Sequence, residues 1–396
     1  MSITQGIVLL FIGFLIFTLD KKQENIPVPT VLVFIGIGLS FIPYFSSIEV
    51  TEHMIYNVFL PPLLFVSAYR FSPAQLKKNI GIILFLATAG LVVTIGALGG
   101  LVYLISGPFL SISFLGALLL AAILTPTDPV SVVSILKTTT NNEEIADVVE
   151  GESLLNDGTS IVVFTFLLEL YTTQQEFSLS SFLGEFAFVF AGGILLGITC
   201  GWLVSKGVHY THNKEYQVML SIVMAYGLFH LAEAAGVSGV LATVAGGLML
   251  SFEYGRTNKE EHFKEALDGF WGVVEISALS LLFLLIGIAA SSYLQTSIWG
   301  FAFLVFGLSI VVRVLVVSGT SSLFPSWRKH MSWRESIIIS WSGLKGTMSV
   351  FLILRFQIEQ AGGSSLFLSL AFATVLISLV IQSLGIYPLS KRLESH

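Results

Sequence analysis

Apolar residues run along this chain in long blocks rather than in alternation. The stretch from Gly81 to Leu104 holds no charged residue, and blocks of similar character recur to the end, each set off from the next by a short polar or charged cluster. Such blocks reach the roughly 20 residues that an α-helix needs to cross a hydrocarbon core. A transmembrane β-barrel would show short alternating segments instead. Cutting at the interruptions predicts thirteen helical spans, over about residues 2–19, 30–46, 51–69, 79–106, 112–136, 144–171, 180–205, 216–235, 237–251, 268–291, 296–318, 335–359 and 364–389. A more amphipathic stretch, 258–267, reads as a surface helix joining two spans.

Composition agrees with an all-α, polytopic membrane protein. Of 396 residues, 54% are hydrophobic and only 11% charged, with a mean hydropathy of +0.87, whereas about a quarter of the residues of a soluble domain are charged. The net charge of −6 is small for this length, and no basic run points to nucleic acid. The single cysteine, Cys200, sits in an apolar stretch, which leaves neither a disulfide framework nor a cysteine metal site. The first block lacks a basic leader and a small-residue cleavage site, so it reads as a retained span.

Charge also orients the chain, because cytoplasmic loops carry the excess of Lys and Arg. The loops after spans 1, 3, 5, 7, 9 and 11 hold Lys21 and Lys22; Arg70, Lys77 and Lys78; Lys137; Lys206 and Lys214; Arg256, Lys259 and Lys264; and Arg328, Lys329 and Arg334. The C-terminal tail adds Lys391 and Arg392, and of the 19 basic residues only Arg313, Lys345 and Arg355 lie elsewhere. The N-terminus is therefore expected outside, the C-terminus in the cytoplasm, and the number of spans odd.

Ionisable groups inside spans are costly and mark function by default. Three clusters qualify. In span 5, Leu124-Thr125-Pro126-Thr127-Asp128-Pro129-Val130 carries two prolines, which free the carbonyls of Ala122 and Thr125 and break the helix. Asp128 before Pro129 reads as the cap of a second half-helix. Broken backbone at membrane depth is tolerated only where it is buried in protein or lines a cavity. In span 6, Ser153, Asn156 and Asp157 stand at i, i+3 and i+4 and share one helical face. A carboxylate, a hydroxyl and released carbonyls are the oxygen ligands that hard cations take, and one carboxylate can hold a proton or a metal ion in turn. In span 12, Trp341-Ser342-Gly343-Leu344-Lys345-Gly346-Thr347 weakens the helix, and Lys345 would sit against carbonyl ends of that second interruption. Arg313 in span 11 needs an acid, and Glu152 is the best available; such a buried pair is expected to be architectural. Spans 5 and 12 are seven apart, as two inverted six-span repeats with span 7 as connector require, and matching interruptions point to a transport site at the repeat interface.

Other polar residues read more plainly. His209 and His212 belong to a cytoplasmic loop, and Glu233 and Glu275 read as packing or interface acids. Ser153 with His209, His212 and His230 offers no evident nucleophile and base pair, so hydrolysis is not indicated. A symporter would need a larger polar cavity, and a channel would be distinguished by its transport rate.

Taken together, these residues resemble the NhaP-type and eukaryotic exchanger branch of the monovalent cation/proton antiporters. The likeness runs from Phe59-Leu60-Pro61-Pro62-Leu63-Leu64-Phe65 through Thr125 to Val130 and Glu150 to Asp157, then Ala232-Glu233 with Ser238-Gly239-Val240-Leu241-Ala242, Arg313, and Trp341 to Gly346. The resemblance implies a homodimer of thirteen-span subunits working by elevator-like alternating access. It places dimerisation helices and the first core helix in 1–106, core spans in 107–178, the connecting span in 179–206, further dimerisation spans in 207–291 and core spans in 292–396. It implies Asp157 as the shared cation and proton site, with Ser153 and the Thr127 backbone as alkali-ion ligands, Asp128 and Asn156 near the helix crossing, and a structural Glu152–Arg313 pair. The Asn156-Asp157 form accompanies electroneutral one-for-one exchange in the relatives. No cofactor is implied beyond the transported ion, Na⁺ or Li⁺, with K⁺ as the alternative; the setting is the plasma membrane and its lipid. Two positions depart from the pattern. Val66 stands where many relatives carry an acid, and Lys345 stands where arginine is usual.

Overall fold

The computed structural model describes residues 1–20, 27–128, 130–139, 143–174, 176–208, 213–256, 261–294, 296–323, 332–359 and 365–394. Among them there is no strand. Besides a single turn at Pro43–Ser46, the helices are α1 (Ile3–Asp20), α2 (Val28–Ser40), α3 (54–70), α4 (Pro73–Ser106), α5 (Phe114–Leu124), α6 (Val130–Thr139), α7 (Glu143–Thr173) and α8 (Leu179–Val208). They continue as α9 (Lys214–Ala234), α10 (Gly239–Arg256), α11 (Glu261–Ser291), α12 (Trp299–Leu323), α13 (Trp333–Trp341), α14 (Thr347–Glu359) and α15 (Ser365–Glu394). Each expected span is met by one helix or by a pair split at a break, namely α5 with α6 and α13 with α14. By length and composition α4, α7, α8, α9, α11, α12 and α15 can each cross a membrane unaided; the other spans are shorter or interrupted.

Local chemistry sets several boundaries. Ser113 caps α5 by accepting from the Gly116 N–H at 3.1 Å, and Ser332 with Glu335 forms a reciprocal capping box at the start of α13. α3 opens with a π-helical stretch, Met54–Phe59, ahead of Pro61 and Pro62. Pro62 cannot donate to the carbonyl of Val58, and that carbonyl accepts instead from the Tyr226 hydroxyl of α9 at 3.0 Å.

One expected element is corrected. No separate surface helix spans 258–267: residues 257–260 lie outside the described residues, and 261–267 form the first turns of α11. Leu267 and Trp271, one turn apart, are both fully buried, so the amphipathic pattern is that of a span entering the protein at its basic end.

Lipid gives helices no hydrophobic reason to associate, so close packing of small residues has to hold them together. α2 and α11 show this at their crossing: a Cβ on Gly36 would lie 2.2 Å from the Leu284 carbonyl oxygen, and one on Gly287 would lie 2.2 Å from that of Val33. Any larger residue would force the two backbones apart. α7 and α15 are largely enclosed, whereas α8 turns Phe188, Leu195 and Leu203 outward. These outward apolar side chains suit lipid or a partner helix, not water.

Candidate functional site: two crossed broken helices and a carboxylate

The break in span 5 falls where proline dictates. α5 ends at Leu124, 125–128 is non-helical, and the helix resumes at Val130; Pro129 itself lies outside the described residues. The second break leaves 342–346 non-helical between α13 and α14. The two breaks cross in direct contact. The Asp128 N–H donates to the Leu344 carbonyl at 2.9 Å, and the Asp128 carboxylate accepts from the Thr347 N–H, first in α14, at 3.3 Å. Asp128 thus serves the positive end of the opposite half-helix, a partner that its own local sequence pattern does not reveal. Gly346 makes the crossing possible, since a Cβ there would lie 2.3 Å from Asp128 Oδ2.

Interrupting α13 exposes carbonyls that need donors. Gln382 of α15 supplies them: its Nε2 donates to the Trp341 carbonyl at 2.7 Å and to the Gly343 carbonyl at 3.3 Å. Ser378, one turn earlier, donates to Gln382 Oε1 and accepts from the Lys345 N–H at 3.0 Å. Lys345, buried, directs Nζ to the Gly343 carbonyl at 3.4 Å, which is the carbonyl-end placement expected for it. Arg313 and Glu152 form the predicted buried pair, Nη2 to Oε2 at 2.8 Å.

α7 runs beside the crossing. Its Ser153 hydroxyl donates to the Thr127 carbonyl at 2.5 Å, and Asn156 Nδ2 donates to Thr127 Oγ1 at 2.8 Å. Those two bonds hold the loop after α5 against the face that carries Asp157. Asp157 Oδ1 and Asn156 Oδ1 are buried with no protein partner. A cavity of about 310 Å³ reaches this place, with Asp128, Ser153, Asp157 and Thr347 in its wall on one side and Ser67 and Glu275 on the other. Its lining continues along α6 and α7 to Lys137 and Glu150, which pair at 3.0 Å. A second cavity of about 220 Å³ lies further along α7, lined by Ile161, Val162, Phe164 and Thr165 with Tyr56 and Glu233. A carboxylate with one oxygen lacking a partner and a hydroxyl in a cavity wall, with a main-chain carbonyl against that hydroxyl, are a donor set for a hard monovalent cation or a proton.

Every site residue named from the sequence therefore falls in one cluster: Thr127, Asp128, Ser153, Asn156 and Asp157 at the crossing, with Glu152, Arg313 and Lys345 behind it. Glu275 and Glu233, read as packing or interface acids, each line a cavity. Glu275 lines the first cavity and is paired with Arg70; Glu233 lines the second and accepts from the Tyr56 hydroxyl at 2.9 Å and the Gly239 N–H at 2.7 Å. Gln382 and Ser378 escaped the sequence reading, although two amide and hydroxyl residues one turn apart in an apolar span were the available signal. Val66 is fully buried in a cluster with Phe65, Tyr69 and Trp271. Leu60, Leu63, Leu64 and Ser67 are the α3 residues facing the first cavity, so Val66 is off that face. His209 and His212 lie outside the described residues.

Comparison with known proteins decides the family. The family model described as sodium/hydrogen exchanger, transmembrane, matches residues 7–392. The chain belongs to this exchanger family. The exchanger is 30% identical to the Na⁺/H⁺ antiporter ApNhaP of Aphanothece halophytica, over 99% of this chain and 75% of that protein. It is likewise 30% identical to the Na⁺/H⁺ antiporter NhaH of Halobacillus aidingensis, over 98% and 97% of the two chains. Its fold matches the sodium proton antiporter MjNhaP1 of Methanocaldococcus jannaschii with a TM-score of 0.81 at 19% identity, covering 100% of this chain and 99% of that one. The exchanger is thus a multi-pass membrane protein of a transporter family.

Proposed function

We propose that the chain exchanges Na⁺ or Li⁺ for H⁺ across the plasma membrane, with the two ions competing for Asp157. One observation carries this reading: Asp157, with a buried carboxylate oxygen that has no protein partner, lines a cavity together with Ser153, whose hydroxyl meets the Thr127 carbonyl behind it. A cation and a proton cannot both occupy that oxygen, so loading one displaces the other. The names of the relatives favour Na⁺ as the cation.

The cycle that suits this arrangement is alternating access by a homodimer. Dimerisation helices, in 1–106 and 207–291, stay fixed, while the core around α5 to α7 and α12 to α15 carries the ion. By the loop-charge rule the Lys137 and Glu150 end of the first cavity belongs to the cytoplasmic side, which supports an inward-facing reading with the N-terminus outside. Asn156, being neutral, adds no second acid next to Asp157 along α7, in keeping with one-for-one, electroneutral turnover.

Proteoliposomes with a trapped pH-sensitive dye test the reading. Asp157→Asn is expected to abolish cation-driven pH changes, and clamping the membrane potential is expected to leave wild-type turnover unchanged. Substantial exchange by Asp157→Asn would remove Asp157 from the mechanism, and voltage-driven turnover would overturn the stoichiometry.

A further inference from the structure

The face of α7 that carries Ser153 and Asp157 continues by one more polar position. Residues 153, 157 and 160 stand at i, i+4 and i+7, one above another along the helix, and the third is Ser160. Toward one end of α7, Glu150, Ser153 and Asp157 line the first cavity; toward the other, Ile161, Phe164 and Thr165 line the second. At a rise of about 1.5 Å per residue, Asp157 and Ile161 are only about 6 Å apart along the axis. The residues of α7 that line the two cavities are thus one helical turn apart, and Ser160 lies between them.

Ser160 is fully buried, and its Oγ has no hydrogen-bond partner. Thr243 and Ser349 share this state, but neither is one turn from Asp157 on α7. A helical serine or threonine ordinarily bonds back to a carbonyl three or four residues earlier, as the adjacent Thr159 does to Leu155 at 2.9 Å and as Thr125, Ser340 and Ser342 do nearby. Burying a hydroxyl without a partner is unfavourable. One turn away on the same stripe, Asp157 Oδ1 is likewise buried and unpartnered. Two adjacent oxygens left open on one face match the need of a dehydrated hard cation, which gathers more oxygens than Thr127, Ser153 and one carboxylate provide.

We propose that Ser160 is a specificity-determining residue of the ion site, its hydroxyl oxygen extending the shell of the cation held at Asp157 by one helical turn toward the second cavity. The proposal rests on the assignment of Asp157 made above. Because the hydroxyl is neutral and fixed on a helix, it contributes to cation binding without supplying a second proton-carrying group, and its position relative to Asp157 discriminates between ions of different radius.

The test measures apparent KM for Na⁺ and for Li⁺ with the full chain in proteoliposomes at fixed pH. Ser160→Ala is expected to raise both KM values by about fivefold or more, unequally, so that their ratio shifts. Ser160→Cys, which keeps the volume and replaces the hard oxygen by sulfur, is expected to move KM in the same direction and decides the matter if the alanine variant does not fold. Thr159→Val, whose hydroxyl is already committed to Leu155, is expected to keep the wild-type KM values and ratio. Wild-type KM values in Ser160→Ala or Ser160→Cys, with Asp157→Asn inactive, would overturn the role of Ser160 alone. Exchange retained by Asp157→Asn would overturn the assignment of Asp157 and this proposal together.

Discussion

Neutralising Glu152 tests whether the buried pair behind the ion site is architecture. Glu152 and Arg313 are 3% and 7% exposed and meet through one bond of 2.8 Å. With charge centres about 4 Å apart and an effective dielectric near 20, their attraction is about 4 kcal/mol, of the order of what both groups lose by leaving water. The pair then contributes little net stability, but breaking it costs about 3–5 kcal/mol because the surviving charge stays buried. Glu152→Gln leaves two cations, Arg313 and Lys345, against the Gly343 backbone with no facing acid from α7. Glu152→Gln and Arg313→Met are each expected to destabilise by that amount, and the double variant by much less than their sum. The measurement is equilibrium unfolding in mixed micelles at rising dodecyl sulfate fraction, followed by tryptophan fluorescence and evaluated as a double-mutant cycle. Additive losses, or a Glu152→Gln protein of wild-type stability that no longer exchanges ions, would refute the architectural role and place Glu152 in the transport path.

Two further substitutions probe the crossing. Gly346→Ala puts a methyl group 2.3 Å from Asp128 Oδ2, so the breaks must separate and Thr347 must lose its cap; exchange is expected to fall at least about tenfold with a stability loss of about 1–3 kcal/mol, and unchanged exchange would show that the crossing tolerates slack. Gln382→Leu strips the amide from the carbonyls of Trp341 and Gly343 and from the Ser378 hydroxyl. A loss of about 1–3 kcal/mol with slower exchange and an unchanged Na⁺ KM is expected, and an altered KM would mean that Gln382 touches the ion.

Much of this protein was already present in the order of its residues. Long apolar blocks fix helices because lipid leaves the backbone no partner but itself. The breaks at Pro126 and at the Gly343 to Gly346 segment, and the shared face of Ser153 and Asp157, follow from local stereochemistry, which depends only on neighbours in the chain. The resemblance to a transporter family supplied the expected roles, and the comparisons bore out the family and the fold.

The tertiary structure decided what depends on distant partners. That Asp128 caps α14, that Gln382 quenches carbonyls 39 and 41 residues earlier, and that Glu275 and Glu233 line separate cavities are relations across helices. Helical periodicity tells which residues share a face but not what that face meets. For the same reason the departure at Val66 is plain in the sequence, but only the fold shows that the residue packs among Phe65, Tyr69 and Trp271, off the face of α3 that lines the cavity. Ser160 is the sharpest case. Its spacing from Asp157 was readable from the outset, but only the packing around α7 shows that its hydroxyl is buried, unpartnered and set between helix residues that line two cavities.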